Sequence, residues 1–184
     1  MAYDDAALEA IIARAGSDPK AAIALLDEAL RLHGDDARLH FLLGSLLAGE
    51  QDYEGAERAM RAAVERAPQF ALARYQLGFL LLTCARPEEA QSIWEPLRHL
   101  PRETPLRLFV EGLRHMIRDE FEPAIARLEE GMARNHDNAP LNRDIALLIA
   151  AMRDAEKPIA EEDGGRPSQA QLLLQQAARR STRH

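Results

Sequence analysis

Apolar residues, mostly Leu, Ala and Ile, recur along the chain in stretches of helical length separated by short polar breaks. Stretches of that length and composition predict helices rather than strands. The arrangement also returns at a fixed interval. Gly44, Gly78 and Gly112 are spaced 34 residues apart, and Ala22, Ala56, Ala90 and Ala124 step by the same 34. Two independent ladders of small residues with one period mark an internal repeat. The period runs from about Pro19 to Met152. Two helices that pack closely need small residues where their axes approach, so Gly on a first helix and Ala on a second let the two helices of one unit touch. The flanking positions are largely apolar: Leu43 and Leu77 precede the glycines, Leu47 and Leu81 follow them, and Leu26, Met60, Trp94 and Leu128 lie four residues beyond the alanines.

This pattern predicts four helix pairs, 4–15 with 19–33, 37–49 with 53–66, 71–84 with 87–100 and 105–118 with 121–134. An unpaired helix over 139–153, beginning after Asp137-Asn138, would cap the last repeat. Asp18 and Asp52 stand where a carboxylate caps the first exposed amides of a second helix. Pro19 and Pro87 stand in first turns, where the missing N–H costs nothing. Pro96 does not fit, because it falls inside the predicted second helix of the third pair. An interior proline costs about 3 kcal/mol or more, so a kink or an early end is expected there.

The repeat resembles the tetratricopeptide pattern W-x2-L-G-x2-Y…A-x3-F…P. The second unit reads His40-x2-Leu43-Gly44-x2-Leu47, then Ala56-x3-Met60 and Pro68. The third reads Arg74-x2-Leu77-Gly78-x2-Leu81, then Ala90-x3-Trp94, and the fourth Leu108-x2-Glu111-Gly112-x2-His115, then Ala124-x3-Leu128. The first unit keeps Ala22-x3-Leu26 but has Ala10 at the glycine position, as in a degenerate repeat. The resemblance implies an all-α fold, a right-handed superhelix of antiparallel helix pairs with a C-terminal capping helix. It also implies that the protein binds another polypeptide. The domain organisation expected is a repeat domain over 1–153, a flexible acidic linker over 154–167, and a short amphipathic helix with a basic end over 168–184.

Composition narrows the function classes. The chain has 184 residues, 47% of them hydrophobic, and a formal net charge of -7, with a pI near 5.4. An acidic chain lacks the field that attracts phosphate backbones, and its one basic cluster, Arg179, Arg180 and Arg183, is a chain end. Nucleic acid is therefore not an expected partner. The single cysteine, Cys84, precludes an intramolecular disulfide. No apolar run approaches the roughly 20 residues of a membrane span, and Met1 to Asp5 carry no cationic leader, so a cytoplasmic location is the default. None of the six histidines pairs with another at helical spacing, the ten glycines are scattered, and no Cys-x-x-Cys is present. No catalytic residue, metal site or cofactor is expected, and the chain is read as a binding protein rather than an enzyme.

In tetratricopeptide arrays the first helices line a concave groove that holds a peptide. The resemblance places repeat positions 2, 5, 9, 12 and 13 there. The second unit offers Arg38, Phe41, Ser45, Ala48 and Gly49. The third offers Leu72, Tyr75, Phe79, Leu82 and Thr83, and the fourth Leu106, Phe109, Leu113, Met116 and Ile117. The groove so composed is apolar and has an aromatic residue at every fifth position: Phe41, Tyr75, Phe109. It departs at nearly every such position from the Lys, Asn and Arg with which some members clamp an acidic C-terminus, so the expected partner is an apolar or amphipathic segment. The binding residues expected are Phe41, Ser45, Leu72, Tyr75, Phe79, Leu82, Leu106, Phe109, Leu113 and Met116. An adaptor or chaperone-like scaffold is the leading reading, and the size is similar to that of small tetratricopeptide chaperones of bacterial secretion systems. The alternative is a self-assembling protein whose groove is filled by residues 168–180 of its own chain or of a second copy. Leu172, Leu173 and Leu174 give that segment an apolar run with no core of its own.

Overall fold

A computed structural model of the chain describes residues 3–155. Among them every regular element is helical. Two compact units divide the chain, Met1–Cys84 and Ala85–His184. The first holds α1 (Asp5–Ala15), α2 (Pro19–Leu32), α3 (Ala37–Gly49), α4 (Tyr53–Arg66) and α5 (Ala71–Thr83). The second holds α6 (Pro87–Trp94), a 3-10 helix (Glu95–His99), α7 (Pro105–Ile117), α8 (Phe121–Arg134) and α9 (Ala139–Ala155). The linker and tail expected beyond Ala155 lie outside the described residues.

Local chemistry explains where the helices start. The Asp18 carboxylate accepts from the Ala21 amide at 3.1 Å and Asp52 from Gly55 at 2.9 Å. Asp4 does the same for α1, accepting from Ala7 at 2.9 Å. Asn138 Oδ1 accepts from Leu141 N at 3.1 Å and so caps α9. Pro19, Pro87 and Pro105 sit in first turns. Pro96 has the effect its ring requires: α6 stops at Trp94 and the chain continues as a 3-10 helix with the proline in its first turn.

The turns that follow first helices share one conformation. Gln51, Ala85 and Asp119 have φ of 66°, 60° and 58°, the left-handed region that side chains disfavour. These three positions are again 34 apart, so the repeat is visible in the backbone as well as in the side chains.

Packing follows the small-residue ladders. A Cβ built on Gly44 would stand 2.6 Å from Met60 Cγ and 3.1 Å from the Ala56 carbonyl oxygen. One built on Gly112 would stand 2.7 Å from Leu128 Cγ and 3.0 Å from the Ala124 oxygen. In both pairs the glycine of the first helix thus abuts the ladder alanine of the second. In the first unit Ile11, Ala22, Leu26, Ala29 and Leu39 form a buried core under α1, α2 and α3. In the second, Trp94, Leu108, Phe109, Leu113, Met116 and Leu128 are buried almost completely. Full burial of each such large side chain contributes about 1.5–3 kcal/mol.

Candidate partner-binding face

Each unit contributes its own set of first-helix residues. In the first unit Phe41 and Ser45 on α3, and Leu72 and Phe79 on α5, are half-buried. Tyr75 and Leu82 on α5 are buried, at 1% and 4% exposure. In the second unit Leu106 on α7 is half-buried, whereas Phe109, Leu113 and Met116 are buried at 0%. The Phe109 ring lies over Gly131 of α8, so closely that a Cβ there would stand 2.5 Å from its Cε1. Five of the ten expected binding residues are therefore internal packing residues, and a partner reaches them only if the surrounding chain moves.

The open members of the first unit form an apolar face. Phe41 meets Phe70, which precedes α5, with ring centroids 5.0 Å apart and planes tilted by 55°. Tyr75 stacks on Phe79 at 6.3 Å with planes 13° apart. Neighbouring hydroxyls bond their own helices: Ser45 Oγ donates to the Phe41 carbonyl at 3.0 Å, and Thr83 Oγ1 to the Leu80 carbonyl at 2.7 Å. Phe70 was invisible to the motif reading because it stands in the connection before α5, outside the first-helix positions.

Arg38, a second groove position, is tied down. Its guanidinium donates to Asp36 Oδ2 at 2.8 Å, to Asp5 at 2.6 Å and to the Tyr3 carbonyl at 2.7 Å. The Tyr3 amide donates back to Asp36 at 2.8 Å, and the Tyr3 ring meets His33 edge-on at 5.2 Å. These bonds clip the start of the chain to the α2–α3 connection. The Arg38 guanidinium holds the Asp36 carboxyl well below the usual carboxylate range, against the opposing effect of burial.

Other charged groups pair at the surface. Glu120 accepts from Arg118 at 2.8 Å and meets His115 Nδ1 at 2.5 Å. Arg118 first and His115 second push its carboxyl down to about 2. Asn138, in the His136-Asp137-Asn138 loop, acts as a cap, and its carbonyl accepts from Asn135 at 3.0 Å. Among the described residues no group of three His, Cys, Asp or Glu side chains could hold a metal. No described helix is long and apolar enough to cross a membrane.

The motif reading also missed a half-open hollow of about 400 Å³ between α2, α3 and α4. Its α3 wall is His40, Leu43 and Leu47, the positions where the tetratricopeptide motif has Trp, Leu and Tyr.

Paired helices, glycine-to-alanine contacts and a recurring left-handed turn define an all-α, tetratricopeptide-like helical repeat protein. The same fold is found in a solved structure of MamA from Desulfovibrio magneticus RS-1, residues 41 to the end. That likeness has a TM-score of 0.58 at 16% identity, over 97% of this chain and 94% of that one. A MamA RS-1 structure described as the ArsTM double mutant also has a TM-score of 0.58, at 17% identity, over 98% of this chain and 96% of that one. At such identity the likeness is one of fold. No protein-family model matches the sequence, and no curated protein matches it.

Proposed function

We propose that this protein is a protein-interaction module, an adaptor or scaffold, that holds an apolar or amphipathic segment of a partner on its first-helix face. The observation that supports this reading is the run of half-buried apolar side chains Phe41, Phe70, Leu72 and Phe79 in the first unit, beside hydroxyls already bonded within their own helices. Aromatic anchors carry most of the affinity at such surfaces. Tyr75 and Leu82 of α5 are buried in the same unit, and in the second unit Leu106 on α7 is half-buried. A chaperone-like role in a bacterial cytoplasm is the finer form of this reading and rests on fold analogy.

Site-specific photo-crosslinking tests it. A benzophenone side chain placed at Ser45 or Phe79 is expected to capture one partner from extract of the source organism, and the same group at the exposed Glu88 of α6 to capture none. Phe41→Lys should abolish that adduct while leaving the helical circular dichroism unchanged. Equal capture at all three positions overturns the reading. The self-assembly alternative involves residues 168–180, which lie outside the described residues. Native mass measurement separates the two, since the alternative requires a dimer or a groove closed to the crosslinker.

A further inference from the structure

The hollow between α2 and α4 lies where the repeat motif would place two large side chains. At the motif positions for Trp and Tyr this chain has His40 and Leu47, and both line the hollow. Replacing two large rings by an imidazole and an isobutyl group removes volume that the neighbouring helices have not closed up. The floor and the α2 wall are aliphatic: Leu43 and Leu47 below, Ile23 and Leu30 beside them. His40 adds an aromatic edge, fixed because its Nε2 bonds the Gly34 carbonyl at 2.8 Å. The volume, about 400 Å³, falls in the range of about 300–1,000 Å³ typical of ligand pockets.

The rim carries three charges. Asp52 is engaged, accepting from the Gly55 amide as the α4 cap. Arg58, largely exposed, lies 4.0 Å from Glu54. Asp27 has no ion-pair partner among the described residues. The rim therefore carries two carboxylates and one guanidinium over an aliphatic floor, and Asp27 is the carboxylate with no bond of its own among the described residues, which favours a cation joined to an apolar body.

We propose that this hollow is a receptor for one aromatic side chain of a partner protein, flanked by a lysine or arginine that pairs with Asp27. The aromatic ring would take the place of the rings this chain lacks, lying against His40 and over Leu43 and Leu47. The site lies on a different side of α3 from Phe41 and Ser45, since residues 40, 43 and 47 form one helical stripe and 41, 45 and 48 another. It thus extends the contact surface beyond the first-helix face, and its failure leaves that face untouched.

Two small indoles of opposite charge test the idea on the full chain. Tryptamine carries the ring and an ammonium, and indole-3-propionate the same ring and a carboxylate. Titration followed by methyl NMR should shift Ile23, Leu30, Leu43 and Leu47 with tryptamine. Binding of indole-3-propionate should be weaker by roughly threefold or more, as expected of one exposed ion pair exchanged for a repulsion. Asp27→Asn should remove that preference. Leu47→Tyr, which restores a motif ring, should abolish tryptamine binding. Should that variant fail to fold, Ile23→Phe fills the hollow from α2 instead. Shifts mapping elsewhere, equal affinity for the two indoles, or tryptamine binding that survives the filling variant each overturn the proposal.

Discussion

Phe41 and Phe109 occupy the same place in their repeats, 68 residues apart, yet Phe109 is fully buried and Phe41 is half-open. The facing helix makes the difference. Phe109 lies over Gly131, where a Cβ would stand 2.5 Å from the ring. The corresponding residue of α4 is Ala63, itself buried at 0%, and its methyl takes the space that the Phe109 ring uses in the second unit. Phe41 leans instead on Phe70, at 5.0 Å. The counterpart of Phe70 in the second unit is Asn138, which caps α9. Between Phe41 and Phe109, then, the same motif position gives one half-open ring and one core ring, and the residue facing it, Ala63 or Gly131, is what differs.

The largest expected effect follows directly. Phe109→Ala should cost about 3–5 kcal/mol, the range for emptying an aromatic core site. Phe41→Ala should cost about 1 kcal/mol, because only part of its ring leaves water. Urea denaturation of the two variants measures both, and equal costs would remove the distinction between core and face. Gly131→Ala should cost about 1–3 kcal/mol through overpacking. Paired with Phe109→Val it should cost less than the two changes separately, with a coupling of about 0.5–3 kcal/mol. The reverse exchange, Ala63→Gly, should cost about 1–2 kcal/mol, the helix propensity of glycine together with the loss of one buried methyl.

The two units also differ in how they hold a depressed carboxylate. In the first, the Asp36 side chain is only 5% exposed and accepts from Arg38 and from the Tyr3 amide. In the second, Glu120 is drawn down to about 2 by Arg118 and His115 but stands at the surface, where solvent screens its pairs. A carboxylate whose folded pKa is depressed contributes stability that is fully present above its unfolded value, about 3.9 for Asp. That contribution is lost as pH falls towards the folded value. Asp36→Asn should therefore destabilise the protein at neutral pH by about 1.5–3 kcal/mol, the scale of a charged hydrogen bond. The difference from the parent should shrink on acidification below pH about 4. Glu120→Gln should leave the acid limb almost unchanged. Chemical denaturation across pH 2–7 distinguishes a first-unit from a second-unit origin of acid lability.

Most of the fold was legible because its determinants are local. Asp18, Asp52 and the first-turn prolines mark helix starts within a few residues of themselves, and Gly44 with Ala56 and Gly112 with Ala124 mark two pairs of helices that touch. Pro96 marked a break for the same reason. The candidate face was legible only in part because exposure is not local. Phe109 is buried by a glycine 22 residues further along the chain, and Phe41 is covered by Phe70, which belongs to no motif position. Arg38 reads as an open cation in the repeat register, but it is held by Asp5 and Tyr3 from the start of the chain. The hollow at His40 and Leu47 was present in the sequence as two departures from the motif, and a reading that counted matches passed over it.

The smallest effect concerns the backbone ladder that both units share. Gln51, Ala85 and Asp119 adopt φ near +60°, a conformation that costs an ordinary residue about 1–2 kcal/mol and glycine nothing. Replacing them by glycine removes the strain but frees the unfolded chain, so the net gain is smaller than the strain itself. Ala85→Gly should stabilise by about 0.5–1 kcal/mol, which raises the melting temperature by about 1–4 °C in a chain of this size. Gln51→Gly should behave similarly. Asp119→Gly should be close to neutral, because an aspartate tolerates the left-handed region better than Ala or Gln. The order Ala85 and Gln51 above Asp119 is the informative result. If all three glycines stabilise equally, side-chain chemistry plays no part at these turns. If none stabilises, the strain at the shared φ is no larger than the entropy that glycine adds to the unfolded chain.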